Sequence, residues 1–102
     1  MKYFVVEVTY TAPIEIIDVN LQYHRDFLQT GYDKRLLLMS GPQNPRTGGI
    51  LIARARSLAE LKSFFANDPY QKLALAEYRF IEFSPVKHAK LVESWIESER
   101  IL

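Results

Sequence analysis

Residues 3–10 read YFVVEVTY, and this stretch decides the fold because it predicts a β-strand with apolar side chains on both faces. β-Branched and aromatic residues of this kind favour extended structure. Because side chains alternate along a strand, Val6 and Val8 share one face while Tyr3 and Val5 share the other. An antiparallel sheet with one face in water would instead alternate between apolar and polar residues. We therefore expect both faces of the sheet to be covered.

The rest of the chain predicts three more strands and three helices. Thr11 and Pro13 are typical of a helix start, and glycine is a common helix terminator, so the first helix is expected to end at Gly31. Ser57 and Glu60 form a capping box that opens the second helix. In order, the expected elements are a strand at 3–10, a helix at 13–31, strands at 34–40 and 50–55, a helix that opens at 57 and breaks at 67–69, a strand at 75–84 and a helix at 86–99.

This order is β-α-β-β-α-β followed by a C-terminal helix, which is the ferredoxin-like, or split βαβ, arrangement. We expect an α+β protein with its helices on one face of a four-stranded, mostly antiparallel sheet. The fourth strand is also two-sided, because Tyr78 and Phe80 share one face while Ile81 and Phe83 share the other. Too little chain remains to cover a second apolar face, so we expect a second copy of the protein to cover it in a homodimer.

Composition and charge exclude several classes of function. The 102 residues are the length of one domain, and 13 basic against 12 acidic residues leave a net charge of +1, which offers no general attraction to nucleic acid or anionic lipid. The absence of cysteine excludes disulfides, thiolate catalysis and cysteine-based metal sites. No apolar run approaches the roughly 20 residues that span a bilayer, and no signal-peptide pattern is visible. We expect a single cytoplasmic domain over residues 1–102 with no metal, no cofactor, and neither nucleic acid nor membrane as partner.

His24 is the sharpest candidate for chemistry. At about 100° per residue, Leu21, His24 and Leu28 lie on one side of the first helix, and His24 is the titratable member of that apolar stripe. Histidine can act as a general acid or base near neutral pH. The pattern also fits a partly buried imidazole that only hydrogen-bonds a backbone carbonyl, so both interpretations stay open. A second apolar stripe lies nearly opposite, formed by Ile16, Val19, Tyr23 and Phe27.

A catalytic histidine needs a second group, typically a carboxylate, on its other ring nitrogen. Asp68 is the most conspicuous candidate, although an aspartate before Pro69 is also the pattern of a cap and first turn. The two roles are compatible because one carboxylate can accept several hydrogen bonds. Glu7 and Glu82 rank lower because they lie within strands. Arg46, in the loop before the third strand, is interpreted as a solvated side chain, with contact to an anionic ligand as the alternative.

Six segments of the chain together resemble the YciI-like (YCII-related) family. The most specific features are a helix histidine, a Ser-Gly-Pro turn and an Asp-Pro pair in that order. The resemblance covers residues 1–87 and leaves residues 88–102 as a C-terminal helical extension. The matching segments are 23–28 (YHRDFL), 36–42 (LLLMSGP), 48–52 (GGILI), 57–61 (SLAEL), 67–70 (NDPY) and 82–85 (EFSP).

The resemblance implies a ferredoxin-like, dimeric α/β barrel in which two sheets pack face to face. It also implies a cleft with a catalytic His–Asp pair, carried over to His24 and Asp68, with Ser40, Gly41 and Pro42 in the substrate-binding wall. The family is similar to small cofactor-free isomerases and includes a dehydrochlorinase. We therefore expect a cofactor-independent enzyme that transfers a proton on a small organic substrate, as an isomerase, lyase or dehalogenase does. The alternative is a non-catalytic small-molecule binding or regulatory dimer that uses the same cleft.

Overall fold

The computed structural model describes residues 1–98 and 101. The β-α-β-β-α-β order and the α+β class predicted from the sequence are confirmed. The elements are β1 (Lys2–Tyr10), α1 (Ile14–Val19), α2 (Leu21–Asp33), β2 (Leu37–Pro42), β3 (Gly48–Ala55), α3 (Leu58–Phe65), α4 (Pro69–Lys72), β4 (Ala76–Phe83), a 3-10 turn (Lys90–Val92) and α5 (Glu93–Glu97). In the described part of the chain, no helix is long and apolar enough to cross a membrane.

The strands form one antiparallel sheet in the order β2-β3-β1-β4. β1 lies in the interior of the sheet, where Val6 stands opposite Leu51 of β3 and Phe80 of β4. The alternation predicted for residues 3–10 is therefore confirmed, because one set of side chains faces the helices. That face holds most of the core residues of β1 and β3, among them Phe4, Val6, Val8, Leu51 and Ala53.

Asn20 divides the predicted first helix into two. Its backbone leaves helical geometry (φ −100°, ψ 0°), and its side-chain Nδ2 donates to the carbonyl of Ile16 at 3.0 Å. Asparagine competes with helical hydrogen bonds in this way, so one continuous helix was the wrong expectation. The first stripe still faces the core through Ile17 and Leu28. The opposite stripe stays exposed except for Phe27, which packs against the ring of Phe64 and other core aromatics.

Gly31 lies inside α2, so the prediction that it ends the helix is wrong. A Cβ at this position would come within 2.7 Å of the side chains of Leu37 and Phe64, so glycine permits the close approach of α2 to its neighbours. The chain instead turns after Asp33 through Arg35, whose φ of 63° is left-handed. This turn also delays the second strand, which begins at Leu37.

The C-terminal segment is less helical than predicted. The helix expected at 86–99 is reduced to the 3-10 turn and α5, and Glu99 lies outside the described residues. Ser98 has an extended backbone (φ −66°, ψ 127°) that ends α5. The physical reason is tertiary: buried Arg54 donates to the carbonyls of Trp95 (2.7 Å) and Ser98, and so fixes the end of the segment.

This segment covers one end of the sheet face that the helices leave open. The ring of Trp95 packs edge-on against Tyr3, with centroids 5.8 Å apart. Beyond that end, the strand register aligns one apolar side chain from each strand across the open face. This open apolar row consists of Met39, Ile52, Val5 and Ile81.

Candidate active site

The structure brings His24 and Asp68 into direct contact. His24 lies on α2, and Asp68 lies in the link between α3 and α4. The His24 Nδ1 atom is 2.8 Å from Oδ1 and 2.9 Å from Oδ2 of the Asp68 carboxylate. The side chain of Asp68 is 0% exposed and that of His24 is 13% exposed. Because a carboxylate only accepts hydrogen bonds, Nδ1 is the donor of this pair, which leaves Nε2 as the ring nitrogen that can accept or donate a proton elsewhere.

Asp68 also caps α4, so the capping and pairing roles occur together. Its Oδ1 accepts from the backbone N–H of Tyr70 at 3.1 Å, and Pro69 occupies the first helical turn. Its Oδ2 accepts from the phenol of Tyr78, which reaches across from β4. Burial and then the Asp68 carboxylate raise the pKa of Tyr78, so this phenol stays protonated and available as a donor. Three donors therefore hold one buried carboxylate.

Tyr70 fixes the plane of the imidazole. Its ring stacks on that of His24 with centroids 4.0 Å apart and an interplanar angle of 7°. The Tyr70 hydroxyl donates to the carbonyl of Ile17 at 3.4 Å, and burial raises the pKa of Tyr70 to about 12. His24 is consequently held along one edge by Asp68 and across one face by Tyr70, so little reorganisation is needed to present Nε2 in a fixed direction.

A cavity of about 420 Å³ opens beside His24, between α2 and the β2–β3 hairpin. Ser40, Gly41 and Pro42 line it together with His24, although they form the end of β2 rather than a turn after it. Within the described residues, no group hydrogen-bonds His24 Nε2. The volume lies in the range of small-molecule sites. The arrangement can therefore offer a basic nitrogen to a small ligand.

Two aromatic residues of the site were missed by the sequence analysis. Tyr70 was quoted only as part of the segment NDPY, and Tyr78 was assigned only to a sheet face. A usable signal existed for Tyr78, because a phenol on the core face of a strand needs a buried hydrogen-bond partner. The identity of that partner depends on the register of β4 and could not be derived from spacing.

Comparison with solved structures finds several chains of similar fold. The fold is similar to that of the 5-chloro-2-hydroxyhydroquinone dehydrochlorinase from Burkholderia phenoliruptrix AC1100, solved in complex with 2,5-dihydroxybenzoquinone. The TM-score is 0.66 at 25% sequence identity, and the similarity covers 89% of this chain and 98% of that chain. No curated protein sequence matches the chain. The YCII-related domain matches residues 1–84, and the chain therefore belongs to the YCII-related family.

Proposed function

We propose that this protein is a cofactor-independent enzyme that transfers a proton on a small organic substrate. In this proposal His24 is the catalytic acid or base, Asp68 positions it, and Ser40, Gly41 and Pro42 form the substrate wall. The observation that carries the proposal is the pairing of Nδ1 with a fully buried carboxylate, while Nε2 is unbound beside a cavity. The resemblance to a dehydrochlorinase supports an isomerase, lyase or dehalogenase type of reaction.

The chemistry follows from the two nitrogens of His24. Nε2 takes a proton from the substrate, and the imidazolium that forms is stabilised by the Asp68 carboxylate on Nδ1. In an isomerisation the same proton returns to a different substrate atom. In an elimination, the electron pair of the broken bond to hydrogen forms a new π bond and a halide leaves with its own bonding pair. Both reactions balance without an oxidant or a reductant.

The test measures turnover by the purified protein in the presence of EDTA, which removes trace metal ions from the assay. The substrates are 5-chloro-2-hydroxyhydroquinone, with chloride release as the readout, and unsaturated lactones, with isomerisation followed by NMR. We expect turnover of at least one of these compounds without any added cofactor. Saturable thermal stabilisation by these compounds without turnover of any of them would support the binding or regulatory alternative and contradict the proposal.

We also propose that the protein is a homodimer in which two sheets pack face to face. The support is the open apolar row, which crosses all four strands and which the C-terminal segment leaves uncovered. Such a row in water is unfavourable, and a second copy offers the matching apolar surface. The cavity lies on the helix side of the sheet, so each protomer keeps its own His24.

Ile81→Glu is expected to convert this dimer into a monomer, because it places a charge within the proposed interface, at a side chain of the open apolar row that is 36% exposed in the protomer. Size-exclusion chromatography with light scattering at micromolar concentration measures the change. Val19→Glu is the matched control, since Val19 is an exposed aliphatic residue on the helical side. A dimer that survives Ile81→Glu but not Val19→Glu would place the interface on the helices and contradict this arrangement.

A further inference from the structure

The cavity beside His24 has an unusual balance of charge. Arg25 and Arg46 line it together with His24, and no aspartate or glutamate of the described residues does so. Asp68 lies behind the imidazole, and its carboxylate is fully buried there. The residues that line this cavity therefore include two arginines and no carboxylate, and the half-exposed Asp18 reaches it only through its pair with Arg46, so the lining favours a negative charge on the ligand.

Arg46 is not the solvated loop side chain that the sequence suggested. Its Nη1 lies 2.6 Å from Oδ1 of Asp18, and its guanidinium lies 5.8 Å from the ring centroid of Tyr10. Only 34% of its side chain is exposed. The hydrogen bond with Asp18 is also the main cause of a raised pKa of Arg46. The guanidinium is thus held in one place at the cavity wall.

The second terminal nitrogen of the guanidinium, Nη2, is buried and has no hydrogen-bond partner among the described residues. A buried donor of a charged group is costly to leave unpaired, because the group has lost its water without gaining an acceptor. Arginine is also suited to bind planar oxyanions, since its N–H groups are arranged as a fork. Asp18 occupies Nη1 and leaves Nη2 without an acceptor.

We propose that Arg46 binds an oxyanion of the substrate, so that the ligand of this site is an organic anion at neutral pH. This inference rests on the proposed function for the location of the site. The oxyanion is either a carboxylate or the ionised acidic hydroxyl of a quinone-type ring. Proton abstraction by His24 adds negative charge to such a ring, and a fixed guanidinium at its oxygen stabilises that charge in the transition state.

The test measures binding at pH 7 by isothermal titration calorimetry, independently of turnover. The probes are 2,5-dihydroxybenzoquinone as the acidic-hydroxyl anion, 2,5-dihydroxybenzoate as the carboxylate, and hydroquinone as the uncharged control. We expect at least one anion to bind about tenfold tighter than hydroquinone. Arg46→Gln is expected to weaken the binding of that anion by about 10- to 100-fold. It should change the binding of hydroquinone by less than about twofold.

Arg56→Gln is the matched control, since Arg56 is largely exposed and pairs weakly with Glu60 at 3.8 Å. Arg46→Lys keeps the positive charge without the forked N–H groups, so it should lose an intermediate part of the affinity for the anion. This variant still tests the proposal if Arg46→Gln folds poorly. Unchanged anion affinity in both Arg46 variants, or no anion preference in the wild type, overturns the inference. Anion binding through Arg46 without any turnover would instead contradict only the proposed enzymatic function.

Discussion

Asp68→Ala is expected to destabilise the protein by about 3–5 kcal/mol. The carboxylate is fully buried, and its removal leaves three donors without an acceptor: His24 Nδ1, the Tyr78 hydroxyl and the backbone N–H of Tyr70. Unpaired buried donors are the costly outcome of such a change, and the lost cap of α4 adds about 1 kcal/mol to the effect. Urea denaturation of the variant and the wild type, followed by circular dichroism, measures the difference.

Two further variants provide stability changes with which the loss in Asp68→Ala can be compared. Tyr78→Phe removes one of the three donors while Asp68 keeps the other two, so we expect a smaller loss of about 1–2 kcal/mol. Asp26→Ala is the control, because Asp26 is an exposed aspartate that only accepts from Gln22 on the same helix. We expect a change below about 0.5 kcal/mol there. Equal stability of the Asp68 and Asp26 variants would show that the buried network contributes little to folding.

The parts of the fold that local chemistry determines were predictable from the sequence. The apolar alternation of residues 3–10 predicted a two-sided strand, and the observed register bears this out. The N-cap of the second helix was also predictable, and Ser57 does accept from the backbone N–H of Glu60 at 3.1 Å. In both cases the deciding residues are neighbours in the chain. Their structure therefore depends little on what packs against them.

The errors in the predicted fold arise where contacts with residues distant in the sequence determine where a helix ends. Gly31 is a normal terminator in isolation, but here the space beside Leu37 and Phe64 requires a glycine inside the helix. The C-terminal end of the predicted last helix lies at Glu97, where Arg54 of β3 binds the nearby carbonyl groups of Trp95 and Ser98. Neither contact has a counterpart in local spacing. The sequence pattern indicates that a segment tends to be helical, whereas tertiary packing determines the residues at which the helix begins and ends.

The candidate site divides in the same way. The position of His24 on an apolar stripe could be derived from periodicity. Asp68 could be ranked first among the candidate carboxylates, and the family resemblance then paired it with His24. The stacking of Tyr70 on His24 and the hydrogen bond from Tyr78 to Asp68 could be recognised only in the tertiary structure. For Arg46 the preferred interpretation, a solvated side chain, was wrong, because the loop sequence does not indicate that Asp18 holds it at the cavity wall.

His24→Gln is expected to lower kcat/KM by about 10²–10⁴ in the enzyme proposed above, because it removes the acid or base and leaves the cavity in place. Glutamine can still donate an amide hydrogen to Asp68, so the expected stability loss is only about 1–2 kcal/mol. His88→Gln, at an exposed histidine outside the cavity, is the matched control and should keep full activity.

Asp68→Asn separates positioning from acid–base chemistry at this same histidine. The amide group can donate to Nδ1, which would move the proton to Nε2 and leave the ring unable to accept one from the substrate. We expect activity to fall nearly as far as in His24→Gln, and the double variant to be no worse than the single ones, since the two residues act as one unit. Kinetics of the three variants measure this, with NMR of the imidazole nitrogens to report the tautomer. Independent, multiplicative losses would mean that the Asp68 carboxylate stabilises the fold without orienting His24.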